Sequence, residues 1–312
     1  MSAQSILAEA VLPDDGPVTA DNFSYSRLEQ QPVRKRSVVN PHRVRRGLVI
    51  AALLVVLVAA LIPIYWAIVL SFDRAATTRL PPFSLWPTQL SLLNYQFAFD
   101  TIPLWRLFLN TTIVTLLNTA ISVFFALCAG YAFAKGNFRF KNFWFVFMLA
   151  VMMIPFESRM IPLFIQYRDW GMLDTWFPLI FGSFAYVFGT FFARQTIAAI
   201  PDELREAAYM DGASEWRIFF QIIIPLCKPL IATLSILQII HHWNNYLWPL
   251  VTIRTQNRQM LSVGVAMFNS QQDAIIFGPR MAVAVISAIP LIILFLFAQK
   301  HIIQSVAMTG IK

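Results

Sequence analysis

The stretch LVIAALLVVLVAALIPIYWAIVL, Leu48–Leu70, decides what kind of protein this is. It is uncharged and longer than the roughly 20 apolar residues with which an α-helix crosses a bilayer. It begins too late and runs too long for the apolar region of a secretory signal, so it reads as a membrane span. Five more apolar blocks follow: Leu107–Ala134, Phe143–Ile165, Pro178–Ala199, Pro229–Leu250 and Met281–Gln299. The expected fold is all-α, a polytopic membrane protein of about six transmembrane helices in one domain covering 47–312. Residues 1–46, polar and basic with scattered prolines, read as a disordered tail. Pro155, Glu157, Arg159 and Pro162 interrupt the third block, and Gly182 and Gly189 loosen the fourth.

Composition agrees with this class. The chain is 312 residues long, 58% hydrophobic and 13% charged, about half the charged share of a soluble protein. Its net charge of +8 is distributed as membrane orientation requires. Arg34, Lys35, Arg36, Arg43, Arg45 and Arg46 precede the first block. Lys135, Arg139 and Lys141 separate the second from the third, and Arg194, Arg205, Arg217 and Lys228 the fourth from the fifth. Basic residues gather on the cytoplasmic side, so both termini are expected there. No basic patch interleaved with aromatics stands in a soluble segment, which argues against nucleic acid as a partner. Cys128 and Cys227 match no metal or redox spacing and are expected to be free thiols.

Between the fourth and fifth blocks lies a charged reach containing Asp202, Glu203, Arg205, Glu206, Asp211, Glu215 and Arg217. At roughly 2.5–3.5 kcal/mol per charge at the bilayer centre, such a segment stays out of lipid. Ala207 and Ala208 favour a helix and Gly212 can end it. The expectation is a small helix held at the membrane face, open to a soluble partner.

The spacing of that reach is Glu206-Ala207-Ala208, then Gly212, then Ile222-Ile223-Ile224-Pro225, with Asp211, Ala213 and Ser214 beside the glycine. It resembles the cytoplasmic signature loop of the membrane subunits of binding-protein-dependent ABC importers. Met152-Met153-Ile154-Pro155, Ile161-Pro162-Leu163, Trp243-Asn244-Asn245-Tyr246-Leu247-Trp248-Pro249 and Ala307-Met308-Thr309-Gly310-Ile311-Lys312 resemble its carbohydrate-uptake branch. Within that branch the chain is similar to the shorter of the two permeases of maltose-type systems. Ile224 stands where the family usually has Leu, and Asn245 where an acidic residue is common.

The resemblance implies a MetI-like permease architecture and an inner-membrane location. It implies a second homologous permease, two ATP-binding cassette subunits and an extracytoplasmic solute-binding protein as partners, with a sugar as cargo. It also implies that the loop around 200–226 forms a coupling helix docking on the ATPase, through Glu206, Ala207, Ala208, Asp211, Gly212 and Ala213. The residues suit that role. Glu206 offers a charge to a basic partner, and the small residues give a low surface that a cleft can approach.

A second set lies in the fifth block. Gln238, His241, His242 and Asn245, at i, i+3, i+4 and i+7, are expected to form one helical stripe, with Asn244 beside it. Polar groups there either supply donors and acceptors to a sugar or bind helices together. Trp243, Tyr246 and Trp248 suit either ring stacking or an aromatic belt, and Glu157 and Arg159 either an external mouth or headgroup anchoring. No third ligand is spaced to make a metal site with the adjacent histidines. Phosphate-loop and catalytic-triad patterns are missing, so neither enzyme activity nor ATP binding by this chain is expected, and no cofactor. The competing classes are a permease for another solute such as a glycerol phosphate ester, and an ion-coupled secondary transporter, which needs a midplane acid or inverted repeats.

Overall fold

The computed structural model describes residues 41–77, 85–270 and 277–309. Most of the expected tail and the final Gly310-Ile311-Lys312 lie outside the described residues. The described backbone is helical, with one antiparallel bridge, between Asp73 and Leu90. In chain order the helices are α1 (Pro41–Phe72), α2 (Leu93–Thr101), α3 (Leu104–Lys135), α4 (Lys141–Met152) and α5 (Phe156–Asp169). Then follow α6 (Phe177–Phe181), α7 (Val187–Ala198), α8 (Glu203–Met210), α9 (Glu215–Ile218) and α10 (Ile224–Leu226). The last four are α11 (Lys228–Trp243), α12 (Leu247–Thr252), α13 (Leu261–Ser270) and α14 (Phe277–Thr309).

The chain divides after Val58. In the first unit, every residue from Arg45 to Val58 is exposed, as befits a helix that is apolar all round and surrounded by lipid. Because α1 starts at Pro41, the end of the stretch expected as tail is helical. Proline suits that first position, where no N–H partner is needed.

Among the described residues, three stretches are long and apolar enough to cross a bilayer: Arg45–Phe72, Leu104–Lys135 and Phe277–Phe297. Two bent pairs bring the number to five if each is one span. α4 and α5 meet at 96°, and the Glu215–Leu226 stretch meets α11 at 78°. The breaks have causes. Pro155 disfavours helix at Ile154 and lacks an N–H to continue α4; a five-residue π-turn, Phe219–Ile223, precedes Pro225, Cys227 and Pro229.

Three of the six expected blocks are not continuous helices, the third being split at 153–155 into α4 and α5. The fourth is α6, a 3₁₀ turn at Gly182–Phe184, and α7, because Ala185 and Tyr186 leave the helical region at ψ 64° and 79°. The fifth stops at Trp243 and restarts at Leu247. Pro249 falls in the first turn of α12, where its missing N–H costs nothing; inside a continuous helix it would clash with the Asn245 carbonyl.

α3 is the axis of the second unit. Its 32 residues rise about 48 Å, more than the hydrocarbon core of about 30 Å. Gly130 lets α7 close in: a β-carbon there would lie 2.4 Å from Ala193 Cβ. One side of α3 is buried yet polar, with Asn110, Thr111, Thr115, Asn118, Thr119 and Ser122. Near its Leu104 end this face pins a loop. Asn110 Nδ2 donates to the carbonyls of Asn257 (2.9 Å) and Gln259 (3.0 Å), and the Leu261 N–H donates to Thr111 Oγ1 (2.7 Å).

Two carboxylates fasten further turns. Buried Asp73 accepts from the Thr88 hydroxyl (2.5 Å) and from the N–H groups of Thr88 (2.8 Å) and Ala75 (2.9 Å). Asp174, left-handed at φ 59°, accepts from the Arg254 N–H (3.0 Å), the Thr255 N–H (2.8 Å) and the Thr255 hydroxyl (2.6 Å). It therefore joins the α5–α6 turn to the segment following α12.

Candidate functional site

α8 is eight residues long and buries none of them. An isolated helix below about 12–15 residues is marginal in water, so its ends and its tethers must hold it. At the N-terminus, Glu203 and Glu206 lie in the first turn, facing the positive end of the helix dipole. At the C-terminus, Gly212 takes φ +76°. Its N–H donates to the Tyr209 carbonyl and that of Ala213 to the Ala208 carbonyl, each at 2.9 Å, which is a complete Schellman cap. A β-carbon at Gly212 would meet no atom within 4 Å, so glycine is required there by the backbone alone. Ser214 then caps α9 through the Arg217 N–H.

The resulting ridge displays the signature residues. Glu206, Ala207, Asp211 and Gly212 are exposed, and Met210 between them is 89% exposed. Ala208 and Ala213 turn inward, against the cluster around Ile218, Phe219 and Ile223. The expected small helix, its stop at Gly212 and its open face are all present.

Sequence reasoning missed what ties the ridge down. Lys135, at the end of α3, reaches Asp202 Oδ1 at 2.9 Å and the Ile200 carbonyl at 2.6 Å. That hydrogen bond and charge hold the Asp202 carboxyl below the usual carboxylate range. Arg205 donates to the Lys135 carbonyl (3.2 Å) and pairs with Glu215 Oε1 (3.5 Å). Glu215 also accepts from the hydroxyls of Tyr209 and Tyr131, one on each oxygen. A cavity of about 310 Å³ lies beside this network, lined by Cys128, Tyr131, Lys135, Glu215, Trp216 and Phe219 among others. Tyr131/Lys135 and Arg205/Tyr209 each stand four apart, as neighbours on one helix face. That spacing was legible; which face meets which was not.

The second set is dispersed. Gln238 is buried, His241 exposed and His242 half-buried, their imidazole centroids 5.1 Å apart. Asn244 caps α11 and donates to the Ile240 carbonyl (2.9 Å). Asn245 lies past the end of the helix, its carbonyl accepting from Ser262 Oγ (2.7 Å). The single stripe expected from i, i+3, i+4, i+7 spacing is therefore corrected: the helix ends before its last member. His242 Nε2 is buried without a hydrogen-bond partner among the described residues. Trp243 and Trp248 are anchored in the fold, donating to the Ser287 and Pro178 carbonyls.

A family model described as "Binding-protein-dependent transport system inner membrane component" matches residues 122–308. The chain is similar to the arabinooligosaccharides transport system permease protein of Halalkalibacterium halodurans, 34% identical over 72% of this chain and 81% of that protein. It is similar to the diacetylchitobiose uptake system permease protein of Streptomyces coelicolor, 30% identical over 80% of this chain and 83% of that protein. Among solved structures it resembles a chain of a bacterial ABC transporter involved in the import of the acidic polysaccharide alginate. That match has a TM-score of 0.73 and 28% identity, covering 86% of this chain and 99% of that one.

Proposed function

We propose that this chain, which belongs to the family of binding-protein-dependent transport system inner membrane components, passes a di- or oligosaccharide across the inner membrane. The family is one of transporter permeases, not of enzymes. The observation that carries the reading is the exposed, glycine-capped α8, which offers Glu206, Ala207 and Gly212 outward while Ala208 and Ala213 seat it. In this reading α8 is the coupling helix. Glu206, Ala207, Ala208, Asp211, Gly212 and Ala213 form the surface gripped by one of two ATP-binding subunits, and ATP is hydrolysed there, not on this chain. A second, homologous permease completes the pore, and an external binding protein delivers the cargo.

The same reading puts the α8 side and both termini in the cytoplasm, with 1–46 as a tail and 47–312 as the permease domain. Gln238, His241, His242, Asn244 and Asn245 are assigned to the cargo path. A glycerol phosphate ester is the competing cargo. Sugar is favoured by the relatives named above and by the neutral hydrogen-bonding character of this set.

Two experiments test this. With Ala207→Cys in the assembled transporter, a disulfide or short bifunctional reagent should join α8 to a cysteine in the ATPase cleft, and Glu206→Ala should abolish uptake while membrane insertion persists. Normal uptake by Glu206→Ala, or no cross-link, removes the docking role. For the cargo, thermal shifts of the binding protein are read with arabinotriose, diacetylchitobiose, lactose and glycerol 3-phosphate, since a ligand raises apparent stability by mass action. A shift with the phosphate ester alone would overturn the sugar assignment.

A further inference from the structure

We infer that Glu215 is the positioning residue that locks α8 to α3, so that a force applied to the ridge turns the long helix instead of bending the joint between them. This rests on the reading of α8 as the coupling helix and adds how its motion reaches the membrane. α8 buries no residue of its own and cannot push through packing alone. Its links to the rest of the chain are few and polar. One carboxylate collects most of them: Glu215 Oε2 accepts from Tyr131 of α3, and Oε1 accepts from Tyr209 and pairs with Arg205, both of α8.

Glu215 itself begins α9, and Ile218 at the end of α9 and Phe219 at the start of the π-turn are buried in the cluster that seats Ala208 and Ala213. Three elements therefore share a single side chain. Arg205 adds a second tie, to the Lys135 carbonyl at 3.2 Å. Hydrogen bonds to a charged acceptor are short and directional, and two oxygens each held by a different helix leave the carboxylate little freedom to swing. Without Glu215, Tyr131 loses its partner in α9 and Tyr209 its partner outside α8, and α8 keeps only Arg205, the Lys135–Asp202 pair and its two seated alanines.

The test uses the whole transporter in nanodiscs, with ATP and vanadate as the ligand and maleimide as the probe. Asn244→Cys reports the far end of α11 by peptide-resolved labelling, and Ala207→Cys reports docking by cross-linking to the ATPase. In the parent the labelling rate at position 244 should change when nucleotide is trapped. Glu215→Ala should shrink that nucleotide-dependent ratio by about fivefold, within the range over which positions along a coupling route act, while the cross-link at 207 persists. Glu215→Gln, which keeps one carbonyl acceptor, should recover part of the ratio.

Should the Glu215→Ala complex come apart, the double variant Tyr131→Phe, Tyr209→Phe decides instead, since it removes two hydroxyls and leaves both rings in place. A ratio within about twofold of the parent's in an intact Glu215→Ala complex or, failing that, in the double variant overturns the lock. Loss of the cross-link in the parent itself overturns the docking reading instead, so the two failures are distinguishable.

Discussion

Gly212→Ala isolates the one backbone conformation on which the exposed ridge depends. Gly212 sits at φ +76°, and a β-carbon there would touch nothing within 4 Å. No steric term is added, so the whole effect is the cost of a left-handed conformation for an L-residue, about 1–2 kcal/mol. That corresponds to roughly a 5- to 30-fold rise in the opening of the cap. The assay is amide hydrogen exchange on the purified protein in nanodiscs, read at Asp211, Gly212 and Ala213, whose N–H groups donate to Ala207, Tyr209 and Ala208. Those amides should exchange faster by that factor in the Ala variant, while amides in the middle of α3 keep the parent rate. Gly212→Asn should cost less, because asparagine visits the left-handed region more readily. The proposed docking on an ATP-binding subunit should weaken only in so far as α8 becomes mostly open, since a binding-competent fraction scales apparent affinity directly. Parent-like exchange in the Ala variant, or acceleration spread evenly into α3, would refute the claim that glycine is there for its backbone.

Three further outcomes are expected. Gly130→Ala forces a methyl to within 2.4 Å of Ala193 Cβ and should lower stability by about 1–3 kcal/mol in thermal unfolding of the purified protein; adding Ala193→Gly should restore part of it, the Arg194 backbone remaining close. Asp73→Ala leaves the Thr88, Ala75 and Gln89 donors without their acceptor and should cost roughly 3 kcal/mol by the same measurement. The hydroxyl of Thr255, then its N–H, hold the Asp174 carboxyl below its ordinary value. A depressed folded value gives stabilisation that is full above the unfolded pKa and lost as pH falls through the folded one. The thermal midpoint should therefore drop below about pH 4, and Asp174→Asn, which tolerates the same left-handed backbone, should flatten that drop.

Local composition was enough to establish the class, the ridge and its stop. Apolar runs as long as Leu48–Leu70 admit little but membrane-crossing helices, because unpaired backbone groups cannot be left in lipid. The charges from Asp202 to Arg217 had to leave the bilayer, and Gly212 was the residue able to end α8 left-handed. These are local properties, fixed by composition and by neighbours a few residues away.

Where the blocks break, and what the breaks face, was settled by packing between helices. Proline and glycine marked weak points in several blocks. Whether each becomes a kink, a bend of 96° between α4 and α5 or an end such as Trp243 depends on which partners satisfy the freed backbone groups. The buried polar side of α3 was spelled out at helical spacing from Asn110 to Ser122, yet its partners lie more than a hundred residues away, at Asn257, Gln259 and Leu261. The Tyr131–Glu215 link crosses a gap of 84 residues. Hydrogen bonds of that kind form between surfaces that come together only after the helices have packed, and no periodicity along the chain encodes which surfaces those will be.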